Sequence, residues 1–359
     1  MLSWSMLALP GKAAPACPAP SSALDLLGAP YPLTGDVCGV HDPCLARDQD
    51  GTYHVFSTDR GSDPAASGGY LPHRCSPDGL AWSRCGAVFA ALPAWLPAAV
   101  PGVRGLWAPD VSFHAPTRQW HLYYAASTFG SQASALGLAT SPRLTGAQWT
   151  DRGLVLASRP GDAFNAIDPS RSALSEELGL GSFWGGLFSV PLGALGGSGA
   201  GAGGGALPLQ HLAQRPSPDA LEGISLLHIS GAGNASPAQA TPWLLASFDL
   251  CCRGVNSTYN VRAGRAGTSG GAFVDQAGTP LLQGGGTLLV GGGHGWAAAG
   301  GQSPLRTADA SAVYSASSLL PLALHAYDGA TGEPYLHLLG LNFSGHWVAA
   351  QSWGGEGGQ

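Results

Sequence analysis

Three carboxylates have the residue type and setting for acid–base chemistry. They are Asp42 in Val40-His-Asp-Pro43, Asp168 in Asn165-Ala-Ile-Asp-Pro169, and Glu222 in Leu221-Glu-Gly223. Any one of them alone reads as a turn former, because Asp-Pro initiates turns. Taken together they suit glycoside hydrolysis. One carboxylic acid protonates the leaving oxygen, and one carboxylate activates water or attacks the sugar. The acid needs a raised pKa, which partial burial or a nearby carboxylate supplies. Trp107, Phe183 and Trp184 offer flat faces on which sugar rings can stack.

Residues so far apart in the chain meet only if a repeat brings them together. Short aromatic segments bounded by turn residues start at Tyr53, Trp120, Ser182, Trp243 and Leu322. They read as strands, Ser182-Phe-Trp184 among them. A second series runs just ahead of the first: His41-Asp-Pro43, Trp107-Ala-Pro-Asp110, Asn165 to Pro169, Glu222-Gly223 and Gly284-Gly-Gly286. Two interleaved series of five, with several strands per repeat, predict an all-β five-bladed β-propeller. The first strand of each blade lines the channel, so one residue per blade reaches a common axis. Asp42, Asp168 and Glu222 are placed at equivalent points of their repeats. Asp110 is read as structural, closing a turn, and His41 as a hydrogen-bond partner of Asp42. Residues 31–353 are expected to form one catalytic domain, with a Gly/Ala-rich loop at 193–207. Residues 1–30 are read as a signal-like or disordered segment and 354–359 as a frayed end.

Composition excludes several classes. Charged residues are 11% of 359, the net charge is −6, and Lys12 is the only lysine. A phosphate-binding basic surface and a lysine Schiff base beyond it are therefore excluded, and no nucleic-acid partner is expected. No run of 18 apolar residues is present, so no membrane-spanning helix is expected. Neither Gly-x-Ser-x-Gly nor His-Glu-x-x-His occurs. Seven cysteines leave at least one unpaired, and without Cys-x-x-Cys they make no zinc ribbon. Cys75 and Cys85 flank a turn and could bridge a hairpin; the other pairings stay open. Sequons at Asn234, Asn256 and Asn342 are too few to argue secretion alone.

An ordered set of segments then resembles glycoside hydrolase family 43, specifically its endo-α-1,5-L-arabinanases. The set comprises Gly39 to Pro43, Leu106 to Val111, Leu122 to Gly130, Asn165 to Pro169, Gly181 to Gly186 and Leu221 to Gly223. It continues with Cys251-Cys-Arg-Gly-Val-Asn-Ser-Thr-Tyr-Asn260, Gly284 to Thr287 and Tyr327 to Pro334. The resemblance implies an inverting hydrolase that cuts internal bonds of arabinan, a pectic side-chain polysaccharide, and is secreted and monomeric. By the match Asp42 is the general base, Glu222 the general acid, and Asp168 tunes and orients Glu222. Gly130, Asn165, Ala166, Ile167, Ser182, Phe183 and Trp184, together with Trp107, would contact the substrate. No cofactor is implied, and no metal ligand is assigned. The turn after the triple glycine reads Trp296-Ala-Ala-Ala-Gly-Gly301 and lacks the family's proline. No histidine aligns where members hold a channel ion: His294 is displaced and His325 comes later, in the final strand. A structural calcium is therefore not expected. Two other readings compete: an exo-acting arabinofuranosidase or β-xylosidase of the same fold, and an inactive sugar-binding propeller, against which the complete carboxylate set argues.

Overall fold

The computed structural model describes residues 17–59, 68–146, 148–172, 174–195, 207–231, 239–268, 270–308 and 313–355. Residues 1–16 of the N-terminal segment, most of the 193–207 loop, Asn234 and residues 356–359 lie outside the described residues. Among the described residues the helices are single turns, such as Leu96–Ala99, and none is long and apolar enough to cross a membrane.

The strands form five mainly antiparallel sheets arranged as a propeller. Their channel-side strands are Cys44–Arg47, Trp107–His114, Ser170–Ser172, Leu221–Ser230 and Trp296–Pro304. Each leads outward through hairpins, as in Trp107–His114, Gln119–Ala126, Ser134–Ser141 and Thr150–Ser158 of the second sheet. The short strand Arg306–Thr307, which follows the fifth sheet's inner strand, pairs in parallel with Cys44–Arg47 of the first. It ties the last sheet to the first.

Alternation within single strands explains the stacking. Successive side chains point to opposite faces, and both faces are apolar. Leu45 packs in a core shared with Leu245, Leu322 and Leu336, while its neighbours Cys44 and Ala46 pack with Val111 and Leu122. Leu122 serves that second core, and Tyr123 serves a third with Leu178 and Leu180. A fourth core joins Leu187 and Leu212 to Leu244 and Phe248. Each sheet is thus buried on both sides by its neighbours, the burial being non-directional and proportional to apolar area.

The N-terminal stretch from residue 17 is packed against the fifth sheet. Cys17 is bonded to Cys38, Tyr31 Oη donates to the Leu336 carbonyl at 2.5 Å, and Trp296 Nε1 donates to the Leu24 carbonyl at 2.8 Å. Cys75 and Cys85 do bridge the hairpin of Tyr70–Ser76 and Ala81–Phe89. Adjacent Cys251 and Cys252 are bonded to each other, which leaves Cys44 as the free, buried thiol.

Two strand expectations fail. Ser182-Phe-Trp184 is a turn between Glu177–Leu180 and Leu187–Pro191, with Phe183 and Trp184 at φ +49° and +33°. Two successive left-handed residues turn the chain out of any ladder, and aromatic content alone overstated the propensity. Gly284 to Gly286 does not line the channel either. Thr287–Val290, which follows it, is an outer strand of the fourth sheet, and the fifth sheet's inner strand is Trp296–Pro304.

Candidate active site

Each inner strand has, within it or just ahead of it, a residue of positive φ that borders the channel: Asp42 (+45°), Ala108 (+41°), Asp168 (+53°), Gly223 (+61°) and Gly301 (+61°). These five and the residues after them surround one channel. Asp tolerates left-handed backbone better than most side chains, and glycine takes it without steric cost. The ring corrects the register expected from sequence. Asp42 and Asp168 are equivalent, but Glu222 sits one residue earlier, beside Gly223. In the second sheet Ala108, not Asp110, holds the ring position. Asp110 lies inside the strand, 4% exposed, accepting from the Arg171 amide at 2.8 Å and facing Arg306 at 3.3 Å. Its role is structural, as expected, but through a buried ion pair and not a turn.

Above the ring opens a cleft of about 370 Å³. It gathers Asp42, Asp168 and Glu222, and with them Trp107, Gly130, Asn165, Ile167, Ser182, Phe183 and Trp184. Ala166 is the exception. It is fully buried in the core behind the cleft, its amide donating to Ser158 Oγ at 2.9 Å, so it offers a ligand no surface. Asn165 is also nearly buried, its Oδ1 accepting from Ser134 Oγ at 2.7 Å. Phe129 on the cleft rim, 85% exposed, was not singled out from sequence. Its place next to Gly130 was the available signal.

The three carboxylates differ in surroundings. Asp42 Oδ2 accepts from His41 Nδ1 at 2.9 Å and from Thr58 Oγ1 at 2.6 Å. Burial works to raise its pKa, but His41, His325 and Thr58 more than offset that and hold the carboxyl well below its ordinary value. Glu222 Oε2 accepts from Ser182 Oγ at 2.7 Å, yet burial and the Asp42 charge push its pKa up. Asp168 Oδ2 accepts from the Gly223 amide at 2.9 Å. Burial, then repulsion from Glu222 and Asp42, drives it well above the carboxylate range. One carboxylate is thus kept ionised beside a repelling pair that favours holding a proton.

His325 was discounted from sequence, and the structure places it directly at Asp42. It lies on Leu320–Asp328, the second strand of its sheet, not the final one. It is fully buried, stacks on His41 with ring centroids 3.8 Å apart, and accepts from the Asp42 amide at 3.2 Å. His41, Asp42 and His325 are close enough to share a cation. Among the described residues two other groups are similarly close: His41 with Cys251 and Cys252, and His54 with His73 and Cys75. Their sulfurs are bound in disulfides and offer no thiolate.

Comparison with known proteins adds to this geometry. The family model described as "Glycosyl hydrolases family 43" matches residues 38–177. An extracellular endo-α-(1→5)-L-arabinanase from Bacillus subtilis is 33% identical over 278 residues, 76% of this chain and 77% of that one. An extracellular exo-α-(1→5)-L-arabinofuranosidase from Cellvibrio japonicus is 31% identical over 348 residues, 91% of this chain and 89% of that one. Among solved structures, a GH43 endo-arabinanase from Bacillus licheniformis superposes with a TM-score of 0.73 at 31% identity, over 89% of this chain and 99% of that one.

Proposed function

The chain belongs to glycosyl hydrolases family 43 and is a glycosidase; from that premise we propose that it cleaves internal α-1,5-L-arabinofuranosidic bonds of arabinan with inversion. The observation that carries this reading is one cleft in which Asp42, hydrogen-bonded by His41 and Thr58, is held ionised while Glu222 and Asp168 are both pushed toward the protonated form. Carboxyl groups pushed apart in this way divide into base and acid.

Asp42 is the general base. His41 and Thr58 both occupy Oδ2, which leaves Oδ1 to take a proton from water. That water's oxygen forms a bond to the anomeric carbon as the glycosidic C–O bond breaks. Glu222 delivers its proton to the departing oxygen. Asp168 and Glu222 repel each other when both are ionised, so the pair retains a proton, and Asp168 fixes the Glu222 backbone through the Gly223 amide. Trp107, Phe183 and Trp184 stack on arabinose rings, and Gly130, Asn165, Ile167 and Ser182 line their path. No cofactor is needed, since both proton transfers run through carboxyl groups.

We read the five sheets as five blades and residues 31–353 as one catalytic domain that works as a monomer. Three disulfides suit an oxidising, extracellular site of action. Endo action is supported by the aromatic rim of Phe129 and Trp184 beyond the carboxylates. A second reading, exo action, is favoured by the match to the exo enzyme over 91% of this chain.

Product analysis on linear and branched arabinan tests the proposal, with Asp42→Ala as the blank. A ladder of oligosaccharides that vanishes in the blank is expected. Arabinose alone would establish exo action, and no product from either polymer would leave a sugar-binding propeller. Proton NMR of the first products reads the anomeric outcome; retained configuration would sink the inverting assignment.

A further inference from the structure

Behind Asp42 runs a chain of hydrogen bonds that the catalytic reading does not use. Tyr327 is 3% exposed, and besides the Ser257 hydroxyl three nitrogens reach its own hydroxyl. His41 Nε2 lies at 2.6 Å, the Cys252 amide nitrogen at 2.9 Å and His325 Nε2 at 3.3 Å. A phenol has one proton to give and can accept two, so each partner's chemistry and distance sets its direction. The Cys252 N–H can only donate. His325 Nδ1 accepts the Asp42 amide, so its Nε2 carries the hydrogen and also donates to Tyr327. Ser257 Oγ already accepts from the Arg253 amide at 3.0 Å, and His41 Nε2 is the nearest of the nitrogens at 2.6 Å, so the phenol proton is assigned to His41 Nε2. With Nε2 accepting, a neutral His41 carries its hydrogen on Nδ1, where it is donated to Asp42 Oδ2. Without the phenol, the opposite tautomer would set a lone pair against the carboxylate.

We infer that Tyr327 is a positioning residue for the base: it locks His41 in the tautomer that donates to Asp42, and the disulfide-closed Cys251–Cys252 turn anchors Tyr327. The anchor is built for one backbone donor. Cys252 has φ +67°, a conformation costly for a side chain of its type. Its covalent bond to Cys251 holds that backbone, and both residues line the cleft. Reaching Asp42 from the surrounding elements are His41, His325, Tyr327, Tyr259, Asp168 and Glu222. Thr58 Oγ1 and His41 Nδ1 both donate to the carboxylate itself, and only the His41 hydrogen has its position set by a tautomer.

The inference rests on Asp42 being the base, and the test separates the two. Protein labelled with nitrogen-15 in its histidines is examined by long-range proton–nitrogen correlation, with His41 assigned by its loss in His41→Asn. The wild type is expected to show His41 protonated on Nδ1 and bare on Nε2. Tyr327→Phe keeps the ring packing and should shift His41 toward the Nε2–H form. It should lower kcat by about tenfold, a fraction of the 10²–10⁴ that general base catalysis supplies, and leave KM unchanged. Cys251→Ala should act in the same direction more weakly, and add nothing in the Tyr327→Phe background. It also serves as the readout if Tyr327→Phe does not fold. A wild-type His41 protonated on Nε2, or a Tyr327→Phe enzyme with unchanged tautomer and kcat, overturns the positioning role. Additive effects of the two variants overturn the anchoring. Asp42→Asn is the control: if it stays active the base assignment fails, whereas an inactive Asp42→Asn beside a fully active Tyr327→Phe defeats only the relay.

Discussion

Asp110 and Asp168 line the same channel, each on or next to an inner strand, Asp110 buried and Asp168 half-buried at the cleft floor. Burial alone pushes both carboxyls up, but what faces them differs. Asp110 meets the Arg306 guanidinium and the Arg171 amide, which pull its pKa back down. Asp168 meets Glu222 and Asp42, which push it further up. A buried charge with a cation is a fastener. A buried carboxyl set against other carboxyls is a cost to the fold that only chemistry explains. The sign of the neighbour, more than the burial, separates the structural half of the channel from the catalytic half.

The contrast breaks most sharply at Glu222. Glu222→Gln should lower kcat by roughly 10²–10⁴ by removing the acid, while Tm at pH 7 rises. The folded pKa of Glu222 is raised. Its favourable contribution is full below the unfolded value of about 4.3 and lost as pH rises through the folded one. Glutamine removes that loss. Activity on arabinan and thermal unfolding at pH 7 check both halves; full activity would refute the acid assignment.

Asp110→Asn should do the reverse. It leaves Arg306, 8% exposed, without its counter-charge. Breaking a buried pair this way costs about 3–5 kcal/mol. Urea unfolding should show the loss, with KM unchanged in protein that remains folded. A stability equal to wild type would mean that the pair fastens nothing.

Asp168→Asn separates tuning from fastening. Asparagine cannot ionise, so the repulsion within the pair is gone and its last proton leaves at lower pH. The alkaline limb of the kcat profile, where Glu222 loses its proton, should move to lower pH. Tm at pH 7 should rise, as for Glu222→Gln. An unmoved alkaline limb would rule out the tuning role.

The sequence reveals the chemistry of this site better than its frame. Asp42 and Asp168 stand out because Asp-Pro marks the entry to an inner strand, and the ring uses that dipeptide twice. The fourth and fifth ring positions, Gly223-Ile and Gly301-Gln, share only backbone conformation with them. Left-handed backbone selects glycine without naming a partner, and in a chain with 55 glycines that signal is diluted. The fifth inner strand is mostly small residues, Ala297-Ala-Ala-Gly-Gly301, because the Tyr259 ring fills the space beside it. A Cβ on Gly300 would meet that ring at 2.1 Å. Such a strand carries no aromatic signature. Ser182 to Trp184 shows the opposite error, aromatic residues serving a ligand surface and not a sheet. The weight of His325 was hidden because Asp42 meets it only through the closure of the ring.

The smallest effect tests whether the ring itself is a backbone device. Ala108 is the one ring residue that is neither Asp nor Gly, yet its φ is +41°. Left-handed backbone costs an alanine about 1–2 kcal/mol, and its amide is held there by a hydrogen bond to Thr58 Oγ1 at 2.8 Å. Ala108→Gly removes that strain but gives the unfolded chain more freedom, by roughly 0.4–1 kcal/mol. The net change should be a stabilisation of under about 1 kcal/mol, with kcat and KM as in wild type. At Gly301 the same logic runs the other way. A Cβ there would lie 2.5 Å from Asp42 Oδ1 and 2.8 Å from His325 Nδ1. Gly301→Ala should therefore lose activity through displacement of Asp42. If Ala108→Gly is strongly destabilising, the Ala108 side chain holds more than backbone geometry, and the ring is not a conformational series in which only Asp42 and Asp168 carry chemistry.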